Sequence, residues 1–342
     1  VAVLDGLDTR DAEDFGVFRL TDRGTLCYRP GSDRGHHSMA ILAKDGELRA
    51  WSSEQQGVWN RPQLSPDGSR MLFPILGTLN YPDGLWVSPV DHADFYRLGT
   101  SGDGPSLVGA WSPDGQRVAY NRVAHDELDG IYVRDIDGGE PRRILERGYK
   151  RGLEGEADEW LYPSTWLPDD SALLITRILG SHHEVMLLPL ADAEAEAGPL
   201  RRLRPSDGYS STATTTRDGK LIAYMGQETG RIQTWVARMA GGELSGRPAL
   251  VRTDGINNHS WAVDDSALFV EDSKRRLWRV TVDVGPPLSV SVPVEVVDLE
   301  ELGIRTWTPL LDGNFFVVLD DDKYAEHYNV IQNWTEVLSE LV

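Results

Sequence analysis

Two histidine pairs, His36-His37 and His182-His183, are the first residues in this chain whose type and spacing suggest metal chemistry, since imidazole is the commonest metal ligand. Adjacent residues of a strand face opposite ways, so each pair offers a single site one ligand at most. Both pairs read as surface or packing residues. His259 has only Asn257 and Asn258 beside it and no second histidine to complete a set. The metal question stays open on these residues, and no cofactor is expected. Asp14-Phe15-Gly16 spells a magnesium-binding triplet of phosphoryl transferases, but no glycine-rich loop, strand lysine or His-Arg-Asp loop precedes it. No Gly-x-Ser-x-Gly elbow occurs, which removes the usual serine-hydrolase nucleophile. The 54 acidic residues could supply a cross-chain carboxylate pair for hydrolysis, but nothing in their spacing singles out two. Acidic residues bunch at 154–159, just before Trp160, which reads as a solvated loop.

The bulk composition narrows the classes. A formal charge of -20 disfavours nucleic acid and anionic lipid as partners, because both need a basic footprint. One cysteine, Cys27, permits no internal disulfide. No apolar run approaches the ~20 residues of a membrane helix, so no membrane insertion is expected within this chain. The sequence starts at Val1 rather than Met, which suggests an excised or processed piece with a leader or anchor upstream.

The elements that must position any site come from a repeat. Leu64-Ser65-Pro66-Asp67-Gly68 and Trp111-Ser112-Pro113-Asp114-Gly115 are its clearest copies. Degenerate ones are Trp166-Leu167-Pro168-Asp169-Asp170, Thr215-Thr216-Arg217-Asp218-Gly219 and Trp261-Ala262-Val263-Asp264-Asp265. Leu20-Thr21-Asp22-Arg23-Gly24 and Pro309-Leu310-Leu311-Asp312-Gly313 flank them. The last residues, Gly24, Gly68, Gly115, Asp170, Gly219, Asp265 and Gly313, are spaced by 44, 47, 55, 49, 46 and 48. That is the length of a four-stranded propeller blade. Each phrase reads as a hairpin turn in which Pro presets φ, Asp bonds local backbone and Gly supplies positive φ. The preceding Trp is expected to pack between blades. The chain is therefore expected to be all-β, a single domain over 1–342, and a seven-bladed propeller of four-stranded antiparallel blades. Residues 1–5 would complete the last blade and close the ring. Six blades is the alternative.

The repeat resembles the "WSPDG" propellers of the TolB-like family. More narrowly, three segments are similar to the extracytoplasmic propeller at the C-terminus of bacterial receptor serine/threonine kinases. These are Val3-Leu4-Asp5-Gly6, Leu26-Cys27-Tyr28-Arg29-Pro30-Gly31 and Tyr328-Asn329-Val330-Ile331-Gln332-Asn333-Trp334 with Glu336 and Leu338. The resemblance implies a periplasmic or extracellular location and a sensor role, with the kinase itself outside this chain. Arg23 in place of the turn Asp, and Thr215 and Pro309 in place of the aromatic, depart from the pattern.

Propellers bind at the channel mouth, where first strands begin and loops on a rigid scaffold gather. Counting eight residues back from each marker gives Gly16, Asn60, Leu107, Tyr162, Ser211, Asn257 and Arg305, with Arg61, Asn258, His259 and Trp307 adjoining. Asn60, Arg61, Tyr162, Ser211, Asn257, Asn258, His259, Arg305 and Trp307 are the candidate ligand-binding residues. They suit a protein, peptide or glycan ligand, with rings to stack on and Arg to hold a carboxylate. The function read from this is non-catalytic binding or sensing. A carbohydrate-active hydrolase or lyase at the channel mouth and a structural subunit of a larger assembly are the alternatives.

Overall fold

In the computed structural model the described residues are 37–52, 58–59, 61–76, 84–98, 108–122, 128–146, 149–150, 158–190, 197–203, 209–251, 253, 255–256 and 258–320, with the strands Phe18–Leu20, Leu26–Tyr28 and Asn329–Ile331. They form six antiparallel blades. Blade I holds Val58–Trp59 and Gln63–Leu64 as a first strand in two pieces, then Arg70–Leu76, Gly84–Pro89 and Tyr96–Leu98. Blade II is Gly109–Trp111, Arg117–Arg122, Gly130–Asp135 and Arg142–Leu145. Blade III runs Glu159–Trp166, Ala172–Leu179, His182–Pro189 and Arg201–Arg202, with Tyr149–Lys150 added beside its first strand. Blade IV is Ser210–Thr215, Leu221–Gly226, Gln233–Ala240 and Glu243–Leu250. Blade V is Asn258–Trp261, Leu268–Glu271, Arg276–Val280 and Val294–Asp298.

Blade VI overturns the expected seven. Its first two strands, Ile304–Pro309 and Phe315–Asp320, come from late in the chain, and its last two, His37–Leu42 and Leu48–Ser52, from early in it. The register Leu42↔Phe315 through His37↔Asp320 joins the halves. The core confirms the count, since apolar residues segregate into six clusters, one per blade boundary. Met39, Phe73 and Phe316 pack between VI and I, and Leu42, Phe269 and Trp307 between V and VI. The other four clusters fill I/II, II/III, III/IV and IV/V. Residues 1–5, expected to close a seventh blade, lie outside the described residues. The first phrase connects Phe18–Leu20 to Leu26–Tyr28, and this hairpin pairs with Asn329–Ile331 as a separate three-stranded sheet. Asn329–Ile331 is thus a strand of this separate sheet and not of the last blade.

The six ring turns share one construction. The marker residue has positive φ in every copy, from 58° at Asp265 to 79° at Gly313. Its N–H closes the turn on the carbonyl three residues back, at 2.9 Å in Gly68, Gly115, Asp170, Gly219 and Asp265 and 3.0 Å in Gly313. The Asp before it accepts the N–H two residues on: Ser69 to Asp67, Gln116 to Asp114, Ser171 to Asp169, Lys220 to Asp218, Ser266 to Asp264 and Asn314 to Asp312. Hydroxyl and backbone donors therefore hold Asp67 and Asp169 below the usual carboxylate range. The Lys220 ammonium and N–H, the leading donors at Asp218, take its pKa to about 2. The indoles stitch blade to blade as expected. Trp111, Trp166 and Trp261 donate Nε1–H to the carbonyls of Gln63, Ala110 and Thr214 on the preceding blade, at 3.2, 3.1 and 3.2 Å. Each buries a large ring and satisfies its one polar atom.

Candidate binding site at the channel mouth

The first strand of each blade is innermost, flanked in blade III by Tyr149–Lys150 on its channel side, so these strands wall a central channel. The six phrase turns surround one end, and the second-to-third strand turns stand at the other. At the phrase end Arg217 of blade IV donates to the carbonyl of Pro66 on blade I, the blade diametrically opposite in a ring of six. That side chain reaches across the channel, and the end away from it is the candidate mouth.

At the mouth, Glu271 ends the second strand of blade V, opposite Asn258. It is 2% exposed. One carboxylate oxygen accepts from Arg275, in the following turn at φ 63°, and the other accepts Trp307 Nε1–H of blade VI at 2.8 Å. Arg275 also donates to the carbonyls of Ile304 and of Arg305, the latter at 2.8 Å. The buried charge is thus compensated by an ion pair and an indole bond, without which burial would be costly.

Arg61 reaches this group from blade I. It lies in the break of the first strand with φ 24°, a strained value for a side-chain-bearing residue. Its charge acts on both Glu271 and His259 of blade V. Blade VI separates I from V around the ring, so a side chain of blade I comes near blade V only through the channel. Arg61 is open to solvent along that channel yet surrounded by protein. The resulting desolvation outweighs the attraction of Glu271 and lowers its pKa. Among the described residues no carboxylate is hydrogen-bonded to it.

His259 sits beneath, 2% exposed, with Nε2 3.2 Å from the carbonyl of Ala223 on blade IV. Burial above all, with help from the Arg61 charge, pushes its pKa down to about 4. It is neutral at physiological pH and leaves the local field to the guanidiniums. Among the described residues no three His, Cys, Asp or Glu side chains gather in an arrangement able to hold a metal ion.

The other candidates are placed as follows. Asn258 is half-buried beside Glu271. Arg305 is exposed and contributes its carbonyl to Arg275. Trp307 is 3% exposed and packs edge-on against Phe269 and Phe315, so its ring belongs to the V/VI core and only its N–H serves the site. On blade III Tyr162 stacks on Trp160, centroids 6.0 Å apart, and burial raises its hydroxyl pKa to about 12. Ser211 is buried, its hydroxyl 3.2 Å from that of Thr212. Asn60 and Asn257 lie outside the described residues. The structure therefore brings Arg61, Asn258 and His259 together with the indole N–H of Trp307, and keeps Tyr162 and Ser211 on other blades. Glu271 and Arg275 were missed by the sequence reading. The available signal was a carboxylate ending the apolar strand Leu268–Glu271.

His182, the other pair's leading residue, lies 3.0 Å from Glu184, which Arg177 and Arg202 also hold at 3.2 and 2.7 Å. His183 stacks on Tyr209. Both histidines are structural members of blade III, and His37 is a buried strand residue of blade VI.

Comparison with known proteins agrees with the fold. No protein-family model matches the chain. An uncharacterized peptidase of Bacillus subtilis, YuxL, is 25% identical over 136 residues, 36% of this chain; the match spans only 18% of that protein. A structure described as a TolB from Agrobacterium tumefaciens superposes with a TM-score of 0.59 at 16% identity, over 83% of this chain and 98% of that one. TolB from Acinetobacter baumannii gives 0.52 at 14% identity, over 78% and 65% respectively. At such identities the likeness is one of architecture: the chain carries a TolB-like β-propeller of four-stranded antiparallel blades.

Proposed function

We propose that the chain is a non-catalytic binding propeller that works outside the cytoplasm. Its site is the channel mouth between blades I, V and VI, and its ligand presents a carboxylate, as a peptide end or an acidic sugar does. Arg61 carries this reading: a guanidinium held in a strained backbone position, open to solvent, beside a neutral His259 and a Glu271 whose oxygens already accept from Arg275 and Trp307. A guanidinium kept in a partly desolvated cleft binds carboxylate more strongly than one in bulk water. The resemblance of the closing segment to receptor-kinase propellers supports the extracytoplasmic, sensory setting. The test is a calorimetric screen of short peptides as free acids and as C-terminal amides. Free acids should bind at least tenfold more tightly than their amides, and Arg61→Ala should erase the difference. Equal affinity for both forms, or cleavage of the peptide, overturns the reading.

A further inference from the structure

A second cavity lies on the opposite, turn-bearing side of the ring, between blades I and II. It has a volume of about 450 Å³, within the ordinary range for small-molecule sites. We propose that it binds a small organic polyanion, phosphorylated or polycarboxylated, through Arg70 and Arg134.

The convergence of these two side chains follows from strand geometry. Residues two apart on a strand share a face. Arg70 shares the face of Leu72, and Arg134 that of Tyr132 and Ile136, and all three apolar partners belong to the I/II core cluster. Both guanidiniums therefore project into the I/II cleft from opposite blades. Leu98 and Ile136, 6% and 3% exposed, are buried beneath them, while the Arg97 side chain, paired with Trp86, stands on the other face of blade I. Tyr96 stands at the rim, 42% exposed, its hydroxyl within the influence of the Arg70 charge. Asp137 is the one acid in the lining, 3.9 Å from Arg70 with an 81% exposed side chain. An ion pair that long and that wet is weak, so a polyanion can displace it.

Charge makes this concentration notable. The chain has 54 acidic against 34 basic residues, yet two arginines from facing blades meet in this cavity against one aspartate. Opposed arginine forks suit oxyanions with several oxygens, and the exposed Tyr96 ring offers a flat surface for the organic part. Phosphate and carboxylate ligands share this chemistry, and the experiment separates them.

The test is isothermal titration of the whole chain at physiological salt with pyrophosphate and, separately, with citrate. One equivalent of at least one of them should bind saturably. Arg70→Gln and, independently, Arg134→Gln should each weaken it at least tenfold while the melting temperature stays close to wild type. Arg61→Ala, at the channel mouth, should leave it unchanged. The tighter of the two probes identifies the phosphate or the carboxylate source. Absence of saturable binding by both probes at millimolar concentration overturns the proposal. So does wild-type affinity in a folded Arg70→Gln or Arg134→Gln protein, or loss of binding in Arg61→Ala, which would assign the anion to the channel.

Discussion

Arg217 and Asp265 show how one residue change in this ring calls for another. Where a marker glycine follows a proline-bearing turn it abuts that proline, as Gly115 does Pro66 and Gly219 does Pro168. Proline has no N–H to satisfy. Where Arg217 replaces it, the N–H is donated at 2.8 Å to the carboxylate of Asp265, which replaces the next marker glycine. Arg217→Pro should destabilise by about 1 kcal/mol in the wild-type background, because it leaves the Asp265 carboxylate without its N–H donor. It should cost less beside Asp265→Gly, which removes that carboxylate and relieves the positive φ. Urea denaturation of the four proteins measures that coupling. His259 makes a separate statement about pH. Its folded pKa of about 4 lies below the unfolded value of about 6.5, so the unfolded chain binds the extra proton between them. The stability it contributes is complete above about pH 6.5 and is lost as pH falls toward 4, by about 3 kcal/mol. His259→Gln should flatten the denaturation free energy over that window; an unchanged slope would remove His259 as its source.

The blade is the element in which sequence and structure correspond most closely. Turn and inter-blade indole were both legible in the phrase, because Pro, Asp, Gly and Trp act there through local backbone geometry and one directional bond. Trp166→Phe should cost about 1 kcal/mol by leaving the Ala110 carbonyl without its donor. Trp166→Ala should cost about 3–5 kcal/mol by emptying part of the II/III core as well. Thermal and urea unfolding of the two variants separate the contributions. The blade count was misread for a physical reason. A hairpin signature reports a hairpin, not the sheet it joins. The strands on either side of the first phrase, Phe18–Leu20 and Leu26–Tyr28, pair in a sheet separate from the six blades. Arg23 was the clue, since the six ring turns all place an aspartate there and use it to accept a backbone N–H. The strands His37–Leu42 and Leu48–Ser52 carry no phrase, because their blade's turn lies at Pro309 to Gly313. The site was half legible on the same grounds. Counting back along first strands finds Arg61 and His259, while Glu271 and Arg275 come from a second strand and the turn after it.

At the scale of the whole molecule, strands from early and late in the chain, 37–52 and 304–320, share one blade, and the channel depends on that closure. Two of the six core clusters, V/VI and VI/I, each contain residues from both halves of blade VI. Arg61 meets Glu271 and His259 only if the ring is drawn shut across them. The most direct measurement is a cysteine cross-link of the partners Ser38 and Leu319. Opposed strand residues lie within disulfide reach, and replacing Cys27 with serine removes the competing thiol. Ser38→Cys/Leu319→Cys should form an intramolecular disulfide in the native protein, run as a compact looped species without reductant, and melt at a higher temperature than its reduced form. Failure of the folded, oxidised protein to cross-link would contradict the six-bladed closure and, with it, the placement of Arg61 beside blade V.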